Sequence, residues 1–397
     1  MPAAATADTF PDFAWASGEE GSDPLVFHDE HVVRVDEFAR SGHLERMDED
    51  LAAVAGLGIR VWRYGMPWRL TERAPGVYDW TLWDQALAAC ARHDLQPVVD
   101  LCHFGLPDHY PGFCDPGWVE GFTRYVEAFL ARYREPRWFT PVNEPGITAL
   151  ASAQFGIWND RRQSLEDFGV ALAHCVLANL EALARIRADR DGWWVGAEGF
   201  SCFRTATDGD ALEAERQRAV AQLVWDLHFG VTPRPAAEAA LVAVPDRVRS
   251  RIAALATRDH VIAGHDFYPT SVLTVGALPP PTIAERIDCY GREARAWYTR
   301  YGVPFWVAET SNLSLPVDAQ IPWLETLATA LAALRRDGLP VRGLCWYSRG
   351  DQYDWDAFLM TPVGQVTTVG LFDAQRRPRP VAAVIARMAA GREGLEA

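Results

Sequence analysis

The sequence predicts a single (β/α)8 barrel, in which a ring of eight parallel strands is surrounded by helices. Eight short segments rich in aromatic and β-branched residues are each followed by longer amphipathic sequence, and no linker or low-complexity tract divides the 397 residues. Strands that alternate with helices form parallel sheets, and eight such units close a barrel. We therefore expect one domain over residues 1–397, with residues 1–10 as a flexible N-terminal tail.

Each predicted element follows from its own local pattern. The strands cover residues 13–17, 59–65, 96–105, 137–144, 193–201, 260–270, 304–311 and 341–348. The helices, whose apolar residues recur every three or four positions, cover residues 43–58, 81–94, 116–133, 165–189, 215–230, 245–259, 283–302, 323–338 and 380–391. The first helix ends in glycine, a common C-cap. The irregular stretches 66–80, 146–164, 202–214, 271–282 and 349–379 follow strand ends, at the face where such barrels place their sites.

The charge of the chain disfavours several classes of function. The formal net charge is −15, so the surface repels phosphate backbones and we expect no nucleic-acid partner. All 38 basic residues are arginine, which excludes a Schiff-base lysine and a P-loop lysine. Histidines and cysteines show no metal-binding spacing, and no GxGxxG motif is present. We expect no metal and no cofactor.

The cysteines and the N-terminal sequence indicate in which cellular compartment the protein is expected. Seven scattered cysteines without a CxxC pair are typical of free thiols in a reducing environment. The N-terminus lacks the basic start and apolar run of a signal peptide, and no segment approaches 18 uninterrupted apolar residues. We expect a cytoplasmic protein that does not contact a membrane.

Two glutamates at predicted strand ends indicate the chemistry. The fourth strand ends in Asn143 and Glu144, and the seventh ends in Glu309. Carboxylates at the C-terminal ends of two barrel strands can face each other across the mouth, and such a pair is the minimal equipment for cleaving a glycosidic bond. Their separation decides between retention and inversion. Glu198, which ends the fifth strand, is interpreted as an ion-pair residue rather than part of the leaving-group side.

A series of motifs in chain order, from about residue 11 to 380, resembles the family 1 glycoside hydrolases, which are retaining β-glycosidases. FTPVNEP resembles the family's acid/base strand and VAETSN its nucleophile strand, so the resemblance implies those roles for Glu144 and Glu309, and binding of the sugar 2-hydroxyl by Asn143. The other matching motifs are LGIRVWRYGMPW, DLCHFGLPD, HDFYPT and CWYSRGDQYDW. They imply sugar- or nucleophile-contacting roles for Arg63, His103, Tyr268, Trp355, Asp354 and a ring under the sugar from either Trp346 or Tyr347.

The sequence also departs from the family pattern. Asp354 stands where a sugar-binding glutamate is usual, Phe104 where a tryptophan is usual, and Gly105 where an aspartate is usual. The family's N-terminal sugar-binding glutamine has no clear match, and among the acids of the SGEEGSD stretch we select Glu20. These departures leave the hydrolytic pair in place and change the expected contacts to the sugar.

The predicted function is that of a retaining β-glycosidase acting on a small-molecule glycoside. One alternative is an intracellular transglycosidase or tailoring enzyme that acts on a glycosylated metabolite. A second, from another class of protein, is a sugar-binding barrel without catalysis. The sequence does not fix the sugar, the linkage, the aglycone or the oligomeric state.

Overall fold

A closed barrel of eight parallel strands forms the centre of the computed structural model, which describes residues 10–391. The strands are β1 (Ala14–Gly18), β2 (Val61–Gly65), β3 (Gln96–Asp100), β4 (Trp138–Thr140), β5 (Trp193–Val195), β6 (Val261–Asp266), β7 (Phe305–Thr310) and β8 (Val341–Trp346). Each strand pairs with its neighbours in chain order, and β8 closes the ring against β1. The predicted fold class is confirmed.

Helices surround the barrel and also form part of its mouth. They are α1 (Glu37–Ser41), α2 (Met47–Gly56), α3 (Trp68–Thr71), α4 (Thr81–Arg92), α5 (Gly117–Arg132), α6 (Pro145–Ala149), α7 (Leu165–Asp189), α8 (Asp208–Ala221), α9 (Leu223–Phe229), α10 (Asp246–Leu255), α11 (Ile283–Tyr301), α12 (Gln320–Arg336) and α13 (Pro380–Ala389). A π-helical turn, Leu150–Gln154, continues α6. Short 3-10 helices cover Pro235–Leu241, Pro269–Ser271, Val317–Ala319 and Trp355–Ala357.

Four small strand pairs decorate the barrel outside its ring. They join Leu25–His28 to His31–Arg34, Glu72–Ala74 to Val77–Tyr78, Cys202–Thr205 to Val272–Val275, and Gln352–Tyr353 to Val366–Thr367. All of these segments except the first pair lie wholly or mostly in stretches predicted as irregular after strand ends. They extend the rim above the barrel mouth.

The core has two layers because successive side chains of a strand point to opposite faces. On β7, Trp306 and Ala308 fill the barrel interior, whereas Phe305 and Val307 pack against the helices. Phe10 closes the interior by packing edge-on against Trp306, with ring centroids 5.6 Å apart. Residues 1–9 of the predicted tail lie outside the described residues.

A register change on β7 turns Glu309 toward the barrel mouth. Simple alternation would place Glu309 on the helix-facing side with Phe305 and Val307. Between the pairs Gly264–Trp306 and Asp266–Glu309, however, β7 contains one residue more than β6. Such a bulge re-aims the side chains that follow it, and bulges are frequent next to active sites.

The helix α7 is long and apolar enough to cross a membrane by composition alone. Its most apolar window is 72% buried within the structure, so it packs as a core helix. Its N-terminus is capped by Ser164, whose side chain accepts a hydrogen bond from the backbone N–H of Asp167.

The predicted helix 215–230 differs from what forms. Two helices, α8 and α9, cover this region and meet at Gln222, and α8 begins at Asp208, inside a stretch predicted as loop. The reason is a capping box: the Thr207 side chain accepts from the backbone of Asp210, and the Asp210 carboxylate accepts from the backbone of Thr207. This places α8 along one side of the barrel mouth.

Candidate active site

Glu309 is anchored at the end of β7 by two hydrogen-bond donors. The Tyr268 hydroxyl donates to its Oε2 at 2.7 Å, and the Arg63 guanidinium donates to its Oε1. Arg63 is only 1% exposed and also donates to Asp100 Oδ2 at 2.9 Å. A guanidinium and a phenol on the two oxygens fix the position of this side chain, and a carboxylate is a group that can act as a nucleophile.

Glu144 lies just beyond β4 in a conformation that β-strands do not allow. Its φ is +39°, in the left-handed region that is rare for residues other than glycine. Its N–H donates to the Ala197 carbonyl at 3.1 Å, and its carbonyl accepts from the Thr148 N–H at 2.8 Å as α6 begins. This strained junction ends the strand and is held by hydrogen bonds on both sides, as is common for residues at functional sites.

Three carboxyl groups meet at the centre of the mouth. Oxygen atoms of Glu144, Asp266 and Glu309 lie within 4.8 Å of one another, and all three side chains are buried. Burial and the nearby Glu309 raise the pKa of Glu144 well above its ordinary value. Of the facing pair, Glu144 is therefore the member whose surroundings favour the protonated form, whereas Glu309 has the Arg63 guanidinium against it.

Asp266 is a site residue that the sequence reasoning missed. It ends β6, is 1% exposed, and neither carboxylate oxygen has a hydrogen-bond donor among the described residues. Burial and the charges of Glu309 and Glu144 raise its pKa well above the ordinary value. The sequence could have indicated Asp266, because it is a carboxylate at a predicted strand end, as Glu144 and Glu309 are.

A hydrogen-bonded chain lines the other side of the mouth. His103 Nδ1 lies 2.8 Å from Asp100 Oδ2, and His103 Nε2 lies 3.2 Å from Asn143 Nδ2. The Asn143 side-chain oxygen accepts from Arg63, which also contacts Asp100. Burial acts to lower the pKa of His103, but Asp100 and Glu20 raise it above its ordinary value. Asp100, which the sequence reasoning passed over, therefore orients both basic groups.

Glu20 lies at this side of the cavity, 3.5 Å from His103, with its carboxylate accepting from Gln352 at 3.0 Å. Its two neighbours in the selected stretch are occupied elsewhere. Glu19 pairs with Arg349, and Asp23 with Arg69. Of the three acids considered, Glu20 is thus the one that lines the cavity.

The predicted aromatic residues at the end of β8 and after it do not all reach the site. Trp346 is fully buried in the helix-facing core, with its indole N–H donating to the Val369 carbonyl at 2.9 Å. Tyr347 points the other way, lies parallel to the His103 ring at 6.3 Å, and covers Arg63. Trp355 lines the cavity. The structure therefore brings Tyr347 and Trp355, but not Trp346, to the site.

Asp354 is not brought to the cavity. Its carboxylate pairs with Arg40 and accepts from the backbone N–H groups of Gly364 and Gln365, each at 2.8 Å. These contacts of Asp354 hold the rim segment in place. The backbone of Asp354 itself has a φ of +59°. No oxygen of Asp354 is left to face a sugar.

The central cavity has a volume of about 420 Å³. The predicted residues that line it are Glu20, His103, Glu144, Tyr268, Glu309 and Trp355, together with Asp266. This volume falls in the range of about 300–1,000 Å³ that small-molecule sites occupy. The walls offer carboxyl groups, an imidazole and aromatic faces, which suit a polar ring such as a sugar.

Glu198 is not the ion-pair residue that the sequence interpretation expected. Its carboxylate accepts from the backbone N–H groups of Gly146 at 2.8 Å and Gly199 at 2.9 Å, next to Glu144. Burial raises its pKa to about 8, against the effect of those N–H groups. It forms a polar wall behind the start of α6.

Two groups of side chains in the described residues lie close enough together to hold a metal ion, and each has an arginine against it. Glu19, His43 and Asp50 offer atoms close enough together for a metal ion, but Arg349 pairs with both Glu19 and Asp50. The central cluster of Glu144, Asp266 and Glu309 has the Arg63 guanidinium against it. The expectation that the protein uses no metal stays a prediction.

A family model described as glycosyl hydrolase family 1 matches residues 30–201 of the chain. This segment of the chain is similar to the family 1 glycosyl hydrolases. The matched segment contains Glu144 and ends before Glu309. Two solved structures of Thermotoga maritima β-glucosidase cover 97% and 98% of this chain with TM-scores of 0.80 and 0.81, each at 14% identity. Both share the fold.

Curated relatives align with only part of the chain. Beta-glucosidase 2 of Oryza sativa subsp. japonica is 25% identical over 187 residues, which cover 41% of this chain and 35% of the relative. The aryl-phospho-beta-D-glucosidase BglC of Bacillus subtilis is 29% identical over 167 residues, 36% of this chain and 32% of the relative. The chain thus aligns with about a third of the length of these relatives.

Proposed function

We propose that this protein is a β-glycosidase that cleaves an O-glycosidic bond by double displacement. Glu309 attacks the anomeric carbon while Glu144 protonates the departing oxygen. Glu144 then deprotonates a water molecule, which releases the sugar from Glu309. The observation that supports this most strongly is the facing pair itself: one carboxylate fixed by Arg63 and Tyr268, the other buried with a raised pKa.

The close approach of the two carboxyl groups supports retention of configuration. Inverting enzymes separate their carboxyl groups by about 6.5–9.5 Å to leave room for water, whereas retaining enzymes bring them to about 5–5.5 Å. Oxygens of Glu144 and Glu309 lie within 4.8 Å of each other. That distance favours direct attack by Glu309 over attack by a water between the two groups.

The surrounding residues have roles that follow from their contacts. Arg63 and Tyr268 hold Glu309 in position for attack. Asn143, held by Arg63 and His103, presents its amide to the 2-hydroxyl of the sugar. Glu20 and His103 bind the more distant hydroxyls, and the Trp355 ring packs on the apolar face of the sugar. We propose a small-molecule glycoside as substrate.

The sugar is proposed to be unphosphorylated, although several curated relatives are named as phospho-glycosidases. Arg349 is the basic residue in the loop where a phosphate would be expected. It is buried and pairs with Glu19 at 2.6 Å and with Asp50 at 3.1 Å. The acidic groups of the cavity, including Glu20 and Asp266, would also repel a phosphate.

Two alternatives give different outcomes in the same assay. Transfer of the sugar to another acceptor, within the cytoplasm that we propose as the compartment, would yield a new glycoside in place of free sugar. A sugar-binding barrel without catalysis would bind and release the glycoside unchanged. The pairing of a buried carboxyl group of raised pKa, Glu144, with a carboxylate anchored by Arg63 and Tyr268 favours catalysis over binding alone.

The test is turnover of a panel of 4-nitrophenyl β-glycosides, with Glu309→Gln as the inactive variant. We expect release of nitrophenol for at least one sugar, and loss of about 10²-fold or more in the variant. Glu325→Gln, on the exposed face of α12, is the matched control and should behave like the native protein. Binding without turnover of any of these glycosides would overturn the proposal.

A further inference from the structure

A second and larger cavity lies beside the catalytic centre. This side chamber is the space of about 630 Å³ between α6 with its π-helical turn, α7 and α8. Its walls are mainly apolar, formed by side chains such as Leu150, Phe168, Leu172, Phe203 and Val224. Neither the family match nor the predicted site residues account for it.

The side chamber is continuous with the central cavity. Six residues line both spaces: Ile147, Leu150, Phe155, Gly199, Ser201 and Leu273. Phe155 is 51% exposed and Leu273 is 41% exposed, so large apolar groups face water at the junction. Exposed apolar side chains that border a cavity are typical of a binding surface.

The junction lies on the leaving-group side of the proposed reaction. The departing oxygen must approach Glu144, because Glu144 supplies its proton. Gly146 and Ile147, which follow Glu144 and Pro145 in the chain, form the wall between Glu144 and the side chamber. The sugar lies on the opposite side, near His103 and Glu20. The group attached to the departing oxygen therefore extends toward the side chamber.

A few polar atoms interrupt the apolar wall. The Glu198 carboxyl lines the side chamber at its inner end, with burial raising its pKa to about 8. The side-chain oxygen of Gln154 is buried and accepts no hydrogen bond among the described residues. A few placed polar groups in an apolar pocket are the usual arrangement for orienting a mainly apolar ligand.

We infer that the substrate is the glycoside of a large apolar alcohol, whose alkyl or polycyclic aglycone occupies the side chamber, where a further hydroxyl on the aglycone donates a hydrogen bond to the side-chain oxygen of Gln154. This inference rests on the proposed glycosidase function and specifies its substrate class. A second sugar unit as aglycone is disfavoured, because hydroxyls that face Leu150, Phe168 and Leu172 would lack hydrogen-bond partners. The polar side chains that line the chamber from α8, Glu213, Arg216 and Gln217, already form hydrogen bonds with one another.

The volume sets the expected dependence on aglycone size. A cavity of about 630 Å³ accepts a ligand of drug-like size. Each methylene that enters an apolar site gains about 0.8 kcal/mol, which corresponds to about fourfold in affinity. For a series of n-alkyl β-glycosides, kcat/KM should therefore rise by about two- to fourfold per methylene until the side chamber is full.

The first experiment measures this series on the native protein and on two variants of α8. Ala221→Trp fills the side chamber, because Ala221 is one of its lining residues. Ala211→Trp makes the same change on the exposed face of the same helix and is the matched control. All alkyl glycosides use the sugar that the nitrophenyl panel identifies.

We expect Ala221→Trp to lose about tenfold or more in kcat/KM for the n-octyl glycoside, while turnover of the methyl glycoside, whose aglycone is too short to reach the side chamber, stays within about twofold of native. Ala211→Trp should change neither value. Equal loss on both substrates would indicate a general structural defect, and a thermal melt of each variant checks for it. No dependence on chain length in the native protein would overturn the inference while leaving the glycosidase proposal intact.

The second experiment tests the side chamber without any catalysis. Isothermal titration calorimetry measures binding of 1-octanol to the native protein and to Ala221→Trp. Binding by the native protein that weakens in Ala221→Trp but not in Ala211→Trp would support the side chamber as an apolar site, even if no glycoside were hydrolysed. Equal octanol binding by all three proteins, or none, would contradict it.

Discussion

The substitution Arg63→Met tests the electrostatic centre of the site. Arg63 is 1% exposed and faces the carboxylates of Glu309 and Asp100, as well as the side-chain oxygen of Asn143. Methionine preserves much of the length and apolar body of the side chain but removes its charge. The variant therefore leaves two buried carboxylates without their shared cation.

The expected loss of stability follows from that burial. Removing one partner of a buried ion pair costs about 3–5 kcal/mol, because the other charge stays buried without compensation. At about 1.4 kcal/mol per factor of ten, the unfolded fraction rises by about 10²- to 10⁴-fold. Both carboxylates lie at the barrel mouth rather than at its centre, so water can reach the variant site and we expect the lower part of this range.

The effect should depend on pH. Burial acts to raise the pKa of Asp100, but His103 and Arg63 together hold it below its ordinary value. A depressed folded-state pKa contributes stability at neutral pH, which is lost as the pH falls through the folded-state value. The variant lacks the part of this contribution that comes from Arg63. The difference between native and variant should therefore be largest near neutral pH and should shrink in acid.

The assay is urea-induced unfolding, monitored by tryptophan fluorescence at about pH 7 and about pH 4. Arg132→Met is the control, because Arg132 pairs with Asp84 at the surface, where their side chains are 45% and 46% exposed. Such surface pairs contribute about 0–1 kcal/mol. An Arg63→Met variant within about 1 kcal/mol of the native protein at neutral pH would refute the reasoning.

Three further substitutions probe the reaction. Glu144→Gln should lower turnover by about 10²- to 10⁴-fold for a glycoside with a basic leaving group. The loss should be far smaller for a dinitrophenyl glycoside, because dinitrophenolate leaves without protonation. Equal losses on both substrates would contradict the acid role. Asp266→Asn removes the carboxyl group beside Glu144 that lowers the pKa of Glu144, so the basic limb of the pH–rate profile should move to higher pH, and an unchanged limb would exclude this coupling. The same variant should gain thermal stability over the native protein as the pH rises, because the raised folded-state pKa of Asp266 makes ionisation unfavourable to folding. Tyr268→Phe removes the hydrogen bond to Glu309 and should lower kcat by about tenfold with little change in KM; a change in KM alone would indicate substrate binding instead.

Much of the fold could be predicted because the barrel strands are marked by local composition. Each of the eight predicted strands overlaps a strand of the observed barrel, although most observed strands are shorter than predicted, and β4 and β5 have only three residues each. In β4 the chain leaves the sheet after Thr140 and turns at Glu144, where the left-handed conformation is incompatible with a strand. Composition does not reveal this point, because Val142 is as apolar as the strand before it.

The site could be predicted only as far as strand ends indicate it. Position alone does not say which face of a strand a residue occupies. At the end of β8, Cys345 and the following Tyr347 face the barrel interior, and Trp346 between them faces the helices. The sequence alone did not show which of the two aromatic rings faces inward. On β7, the bulge overrides the same alternation and brings Glu309 to the mouth. Neither the alternation on β8 nor the bulge on β7 can be read from the sequence unless the pairing with the neighbouring strand is known.

The side chamber could not be predicted from sequence at all. Its walls come from segments far apart in the chain, including Leu150, Phe168 and Val224, whose helical spacing indicates only that they are buried. Whether buried apolar side chains meet each other or enclose a space depends on how the helices pack. The contacts of Asp354 with the rim were likewise hidden, because they involve Arg40 from a distant helix.

The measurement that tests the central claim most directly is covalent trapping of the nucleophile. The protein is incubated with a panel of 2-deoxy-2-fluoro β-glycosyl fluorides, which slow the second step, and is analysed by intact-protein and peptide mass spectrometry. We predict a mass gain of one fluoro-sugar on the peptide that contains Glu309, no gain in Glu309→Gln, and fastest labelling by the preferred sugar. Labelling of another carboxylate such as Asp266, or no labelling while a β-glycoside is turned over, would contradict the assignment of Glu309 as the nucleophile.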